Sequence, residues 1–185
     1  MKKNGLVNLP NALTLLRLLL VPVFAAVYFL LPERRWIALV IYLSAALTDL
    51  LDGYLARRLN QITWFGKLFD PAADKLMCVM MLYCLAATGR IPWWVLVVVF
   101  LKEAYMGLGA FLMYSRSFVV KSDIFGKVST FMFVLATALV FPWHGSARLT
   151  SIGRMLIIGA AAFSVAAAAH YTWMALRHAN DAYKR

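Results

Sequence analysis

Long apolar runs follow one another along most of this 185-residue chain and limit its possible folds. A run of about 20 apolar residues can cross a bilayer as a helix. The composition agrees, since 63% of the residues are hydrophobic and only 15% are charged, whereas a soluble domain has about 25% charged residues. We predict an all-α integral membrane protein, with one membrane-embedded domain over residues 1–185 and six transmembrane helices at about 10–31, 34–59, 66–88, 91–114, 124–142 and 149–177.

The charge pattern predicts how these helices are oriented. The net charge of +11 invites a nucleic-acid interpretation, but Lys and Arg also collect at the cytoplasmic ends of membrane helices, so we predict no nucleic-acid partner. Eleven Lys and Arg residues fall on one predicted side and five on the other, which favours a cell-membrane protein with both termini in the cytoplasm. The Arg17 charge and the long apolar run to Leu31 argue against a cleaved signal peptide.

Four of the eight acidic residues lie close together, at the junction of the second and third predicted helices. At 100° per residue, Asp49 and Asp52 share a helix face with Gly53 and Ala56, within an arc of about 100°. On the next helix Gly66, Asp70 and Asp74 fall within about 80°. Because helices joined by a short turn are neighbours, the two faces can point into one cleft on the cytoplasmic side.

Four converging carboxylates need a source of positive charge. Like charges at close range force some groups to protonate, and ionisable groups inside a membrane are costly. Two Mg²⁺ ions would relieve both problems, and Arg57 offers a planar donor fork to a phosphate. The alternative is that these carboxylates cap helix ends or pair with basic neighbours such as Arg58, Lys67 and Lys75.

The spacing of these residues resembles the signature of the CDP-alcohol phosphotransferase family. The match runs over Asp49-x-x-Asp52-Gly53-x-x-Ala56-Arg57 and then Gly66-x-x-x-Asp70-x-x-x-Asp74. The start, Pro10-Asn11-Ala12-Leu13-Thr14-Leu15-Leu16-Arg17, is similar to that of the bacterial members that make phosphatidylglycerol phosphate. The family has six membrane helices, which matches the six predicted segments, so the resemblance covers nearly the whole chain. The resemblance also implies a homodimer, which is common in the family.

The resemblance implies a phosphatidyltransferase that uses CDP-diacylglycerol and releases CMP. Asp49, Asp52 and Asp70 would bind one metal ion, and Asp49, Asp70 and Asp74 a second, as Mg²⁺ or alternatively Mn²⁺. Asp74 would also be the catalytic base that takes the proton of the acceptor hydroxyl. The residues implied at the nucleotide and diphosphate are Asp52, Gly53, Ala56, Arg57, Gly66 and Thr14.

The acceptor is a small alcohol or a lipid alcohol, and the sequence leaves both open. Lys102 and Glu103 lie near the middle of the fourth predicted helix, where they are either a neutralising pair or part of the cavity. Ala110 and Ser129 stand where the phosphatidylglycerol phosphate-making members would lead us to expect cations. The candidate acceptor-binding residues are Lys102, Arg116, Lys121 and Lys127. We predict glycerol 3-phosphate as the acceptor, with phosphatidylglycerol, which would give cardiolipin, as the alternative.

Two other classes of membrane protein gather carboxylates. A membrane prenyltransferase also holds a diphosphate through Asp and Mg²⁺, but it usually has two distant Asp-rich motifs in a longer chain. A divalent-cation channel or carrier has little reason to follow its carboxylates with Gly53, Ala56 and Arg57. We therefore favour the transferase.

Overall fold

The computed structural model describes residues 9–58, 64–114, 124–141 and 147–183, with side-chain surroundings for 12–48, 72–109, 128, 131–141, 148–174 and 177. Helices make up 94% of the structure, and no strand occurs among these residues. The predicted all-helical fold is confirmed, and each predicted segment corresponds to a helix: α1 (Leu9–Leu30), α2 (Arg35–Arg58), α3 (Trp64–Ala87), α4 (Trp93–Tyr114), α5 (Ile124–Val140) and α6 (Ala147–Tyr183).

Two helical segments in the described part of the chain are long and apolar enough to cross a membrane. They are Ala12–Leu30 in α1 and Arg148–Met174 in α6, of 19 and 27 residues. A shorter apolar segment, Phe131–Val140, lies in α5. Six membrane crossings therefore stay a prediction.

The chain divides into two compact units, and each is described by itself. Unit 1 is Met1–Gly89 and contains α1, α2 and α3, whereas unit 2 is Arg90–Arg185 and contains α4, α5 and α6. The signature residues all fall in unit 1, and the candidate acceptor residues all fall in unit 2. One catalytic domain over the whole chain stays a prediction.

In unit 1, α1 packs against both α2 and α3 through a buried stripe. The stripe recurs every three or four residues, as expected for one face of a helix, and consists of Thr14, Arg17, Val21, Phe24 and Tyr28. Leu15, Leu19 and Leu30 are exposed on other faces of α1. The side of α1 that faces the other helices is therefore more polar at its N-terminal end than the side that faces outward.

Side-chain contacts fix how α1 runs relative to its neighbours. The rings of Phe24 and Tyr42 have centroids 6.2 Å apart, and the Arg35 guanidinium lies 5.0 Å from the centroid of the Tyr28 ring. These pairs make α1 and α2 antiparallel. The Tyr28 hydroxyl donates to Thr88 Oγ1 at 2.8 Å, because the Thr88 hydroxyl itself donates to the Cys84 carbonyl. Because this bond joins the C-terminal end of α1 to the residue after the end of α3, and the two helices pack together, α1 and α3 run parallel.

The turn after α3 requires a glycine. Gly89 has φ +68°, and its N–H donates to the Ala86 carbonyl at 3.0 Å. This left-handed conformation at a helix C-terminus is strained for a residue with a β-carbon. Unit 1 ends at this turn.

In unit 2, α5 and α6 pack so closely that a glycine is needed between them. A β-carbon added to Gly153 of α6 would lie 2.5 Å from Val140 Cγ2 and 3.2 Å from the Ala136 carbonyl oxygen. The Arg90 guanidinium donates to the carbonyl of Val140, the last residue of α5. The Tyr105 hydroxyl of α4 bonds to Thr172 Oγ1 of α6 at 3.0 Å.

Candidate active site

Both halves of the signature lie on continuous helices. α2 carries residues 49–57 in its last turns, and α3 carries residues 66–74 in its first turns. The predicted helical spacing of Asp49 with Asp52 and of Asp70 with Asp74 therefore holds for the backbone. The connecting residues 59–63, and the side chains of Asp49, Asp52, Gly53, Ala56, Arg57, Gly66 and Asp70, lie outside the described residues.

The register of α2 gives the expected face for its two aspartates. Its buried residues Ala38, Tyr42 and Ala45 are spaced by four and three. The same spacing continued along the helix reaches Asp49 and Asp52. Because α2 packs against α1, we expect both aspartates on the side of α2 that faces α1.

Thr14 and Asp74 lie at similar heights in unit 1. Thr14 is 0% exposed and Asp74 is half-buried, following the fully buried Ala73. The hydrogen bond between Tyr28 and Thr88 aligns α1 with α3, and Thr14 and Asp74 each precede one of these partners by 14 residues. At 1.5 Å per residue both positions lie about 21 Å from that bond along parallel helices.

Arg17 was not among the predicted site residues, yet it is buried beside them. It is 1% exposed and follows Thr14 by three residues on the same stripe of α1. A sequence signal was present, since Arg17 is the only cation between Lys3 and Arg34. A lone charge in an apolar run does not by itself show which way the side chain faces.

The candidate acceptor-binding residues are described only in part. Lys102 and Glu103 of α4 form an ion pair, and their side chains are 17% and 22% exposed. This confirms that the two residues pair, which the sequence left open. Lys127 lies in α5 with its side chain outside the described residues, and Arg116 and Lys121 lie wholly outside them.

The predicted metal-binding residues have side chains that fall mostly outside the described ones. Among the side chains that the structure describes, no group of three or more His, Cys, Asp or Glu residues could hold a metal ion. Asp74 is the one member of the predicted set in that part of the chain. The predicted donors are all carboxylates on two helices that pack together, and such an oxygen-only set fits a hard divalent cation.

The family model described as CDP-alcohol phosphatidyltransferase matches residues 7–175. The chain belongs to this family and is a transferase. The predicted resemblance is thereby confirmed. The family is membrane-bound and generally uses divalent metal ions, and the two long apolar helices agree with membrane association.

Several curated relatives are similar over most of their length. A CDP-diacylglycerol–glycerol-3-phosphate 3-phosphatidyltransferase of Cereibacter sphaeroides is 37% identical over 153 residues, which cover 80% of this chain and 69% of the relative. A probable phosphatidylglycerophosphate synthase of Mycobacterium tuberculosis is 34% identical over 175 residues, 92% of this chain and 82% of the relative. A Bacillus subtilis enzyme with the same name as the first is 32% identical, covering 71% and 75%.

Proposed function

We propose that this chain transfers the phosphatidyl group of CDP-diacylglycerol to glycerol 3-phosphate, which gives phosphatidylglycerol phosphate and CMP. The names of the similar enzymes from three bacteria support this reaction. The observation that carries the proposal is the position of the signature on two packed helices, with buried Thr14 close in height to Asp74.

Asp74 is the proposed catalytic base. It accepts the proton of the acceptor hydroxyl, whose oxygen forms a bond to the phosphorus that carries diacylglycerol. The bond from this phosphorus to the CMP oxygen breaks, and CMP leaves with that electron pair. The half-buried position of Asp74 suits a group that must meet substrate while shielded from bulk water.

The four signature aspartates are proposed to hold two Mg²⁺ ions, or Mn²⁺ in their place. Asp49, Asp52 and Asp70 would bind one ion, and Asp49, Asp70 and Asp74 the other. When bound, these cations supply charge neutralisation at the diphosphate and at the leaving oxygen.

The remaining signature residues are proposed to bind the donor. Gly53, Ala56 and Gly66 have little or no side chain, which allows the nucleotide to approach the helices closely. Arg57 offers paired N–H donors to the diphosphate. Asp52 and the Thr14 hydroxyl complete the proposed donor site.

A second acceptor, phosphatidylglycerol, is favoured by one observation. Glu103 neutralises Lys102, so the described acceptor candidate offers little net charge to a phosphate dianion. Transfer of the phosphatidyl group to phosphatidylglycerol, an acceptor with less charge, would then form cardiolipin and release CMP. For glycerol 3-phosphate, we propose that Arg116, Lys121 and Lys127 supply the missing charge.

We further propose that the whole chain is one catalytic domain with six membrane crossings. Both termini and the active site would lie on the cytoplasmic side, where the acceptor is soluble. The protein would act as a homodimer embedded in membrane lipid. Cysteine labelling at Lys3 and Glu33 in intact cells tests the orientation, because the two positions should fall on opposite sides.

Mass spectrometry of the lipid product tests the reaction. Purified protein receives CDP-diacylglycerol with glycerol 3-phosphate, phosphatidylglycerol, serine or inositol phosphate in separate reactions. We expect phosphatidylglycerol phosphate from the first and CMP in equal amount. A product only with phosphatidylglycerol would replace the first proposal by the second. Activity that survives both EDTA and Asp70→Asn would contradict the proposed metal site.

A further inference from the structure

The buried guanidinium of Arg17 raises the question of what balances its charge. Arginine keeps its proton in proteins, so its burial cannot be relieved by deprotonation. A charged side chain removed from water is tolerated when it pairs with an opposite charge. Residues 1–89 contain only five acidic side chains: Glu33, Asp49, Asp52, Asp70 and Asp74.

Glu33 is too far away to serve. It is exposed in the turn after α1, and Arg17 lies 13 residues before Leu30, the last residue of that helix. At 1.5 Å per residue this separates the two positions by about 20 Å, which exceeds the reach of both side chains. Within unit 1, only the signature aspartates remain.

The register of α1 against α2 places Arg17 level with Asp49. Arg17 lies seven residues before Phe24, and Asp49 lies seven residues after Tyr42. Phe24 and Tyr42 are in ring contact across the antiparallel pair, so equal steps in opposite directions along the chain reach one height.

The register of α1 against α3 places Arg17 level with Asp74. Arg17 lies 11 residues before Tyr28, and position 77 lies 11 residues before Thr88, the hydrogen-bond partner of Tyr28. On parallel helices this contact places Arg17 opposite position 77. The Phe29 and Tyr83 rings, 6.3 Å apart between centroids, set it opposite position 71 by the same count. Asp74 is the middle of this interval, so the two contacts together place Arg17 within about three residues of Asp74 along the helix axis, or about 4.5 Å.

We propose that Arg17 is the built-in counter-charge of the signature carboxylates, and that it holds Asp49 and Asp74 together while no cation is bound. The inference rests on the proposed carboxylate site, but it is independent of the donor and the acceptor. Arg17 is a positioning residue, since it acts through the aspartates. It keeps the carboxylates together before the cations arrive, and one fixed positive charge leaves the site negative enough to attract them.

Thermal unfolding of purified protein in EDTA tests the charge balance. Arg17→Gln should lower Tm by about 5–10 °C, because it leaves buried carboxylates without their partner. In an Asp49→Asn/Asp74→Asn background the same substitution should cost less than half as much, since the charges that needed balancing are gone. Arg17→Lys should keep most of the stability, and exposed Arg34→Gln is the matched control with no change.

Added Mg²⁺ gives a second readout that a packing role would not change. A site without Arg17 is more negative, so Mg²⁺ should raise the Tm of Arg17→Gln by more than it raises that of the parent protein. An equal loss of Tm from Arg17→Gln in both backgrounds, or an equal Mg²⁺ response, overturns the proposal. If the Arg17→Gln variant cannot be purified alone, it should be combined with Asp49→Asn/Asp74→Asn. Folded protein from this triple variant supports the proposal, and its absence overturns the proposal.

These measurements need no substrate. The counter-charge proposal can therefore fail while phosphatidyl transfer is observed. Conversely, transfer can be absent while the coupling between Arg17 and the aspartates is found.

Discussion

The two units bury polar side chains in different ways. Among the described residues of unit 2, the fully buried polar side chains are Thr137 and Ser164, and both donate to carbonyls of their own helix, at 2.6 and 2.9 Å. Such bonds need no neighbouring helix. Unit 1 buries, besides Thr14, the charged Arg17 on the face of α1 that meets α2 and α3. Burial of the Arg17 charge lowers the stability of unit 1 unless an opposite charge balances it. In unit 2 the main constraint is instead the close packing of α5 and α6 at Gly153.

The largest effect should come from the carboxylates of unit 1. Asp74→Asn should lower the rate of CMP release from CDP-diacylglycerol by about 10²–10⁴-fold, because it removes the proposed base. The exposed carboxylate Glu33 of the same unit provides the control, since Glu33→Gln should retain the parent rate. Equal activity in Asp74→Asn and the parent would contradict the proposal that unit 1 carries the catalytic base.

The close packing of unit 2 should be sensitive to a single methyl group. Gly153→Ala should lower the free energy of unfolding by about 1–3 kcal/mol, since the new β-carbon overlaps Val140. Gly159 lies on the same helix with nothing within 4 Å of an added β-carbon. Gly159→Ala should therefore be neutral or slightly stabilising in the same thermal melt. Two equal destabilisations would show that close approach is not the cause.

Steady-state kinetics at Lys102 should separate acceptor binding from donor binding. Lys102→Gln should raise KM for glycerol 3-phosphate about tenfold and leave KM for CDP-diacylglycerol unchanged, because a charge-assisted bond to phosphate is lost. Glu103→Gln should act in the opposite direction, since it releases Lys102 from its ion pair. Exposed Arg148→Gln on α6 is the control. A rise in KM for the donor alone would assign Lys102 to the other substrate.

The smallest effect compares one tyrosine hydrogen bond from each unit. Tyr28→Phe should cost about 0.5–1.5 kcal/mol of stability, because it removes the part-buried bond to Thr88. Tyr105→Phe, which removes the exposed bond to Thr172, should cost about 0.5 kcal/mol, the low end of the range, because water competes for an exposed hydrogen bond. Thermal unfolding of the two variants in one detergent measures the difference. A larger loss for Tyr105→Phe would reverse the expected ranking.

The sequence predicted the helices because apolar runs and punctuating Gly and Pro residues are local signals. The ends were less certain: α6 was predicted to end at 177 and continues to Tyr183. Most residues after Arg177 are polar, but they include neither Gly nor Pro to stop a helix. Hydropathy falls where a helix leaves the apolar environment, whereas backbone hydrogen bonding can continue.

The candidate site was predictable where spacing on one helix is sufficient, as for Asp70 and Asp74. The location of Arg17 was not, because its burial depends on contacts between helices, such as those of Phe24 with Tyr42 and Tyr28 with Thr88. Pairing of Lys102 with Glu103 was similarly open, since adjacent residues point in different directions on a helix. Only the rotamers in the folded chain bring their charges together.

The length of α6 has a consequence for where its end lies. A helix of 37 residues is about 56 Å long, and even a tilt of about 40° leaves it taller than a hydrocarbon layer of about 30 Å. If α6 crosses the membrane as predicted, at least one of its ends therefore enters the headgroup layer. Near the C-terminal end, the Arg177 guanidinium lies 5.5 Å from the centroid of the Trp173 ring, and this aromatic–cation pair suits an interface where anionic phosphates meet acyl chains. A helix of this length could change its tilt in bilayers of different thickness and still keep one end at the interface.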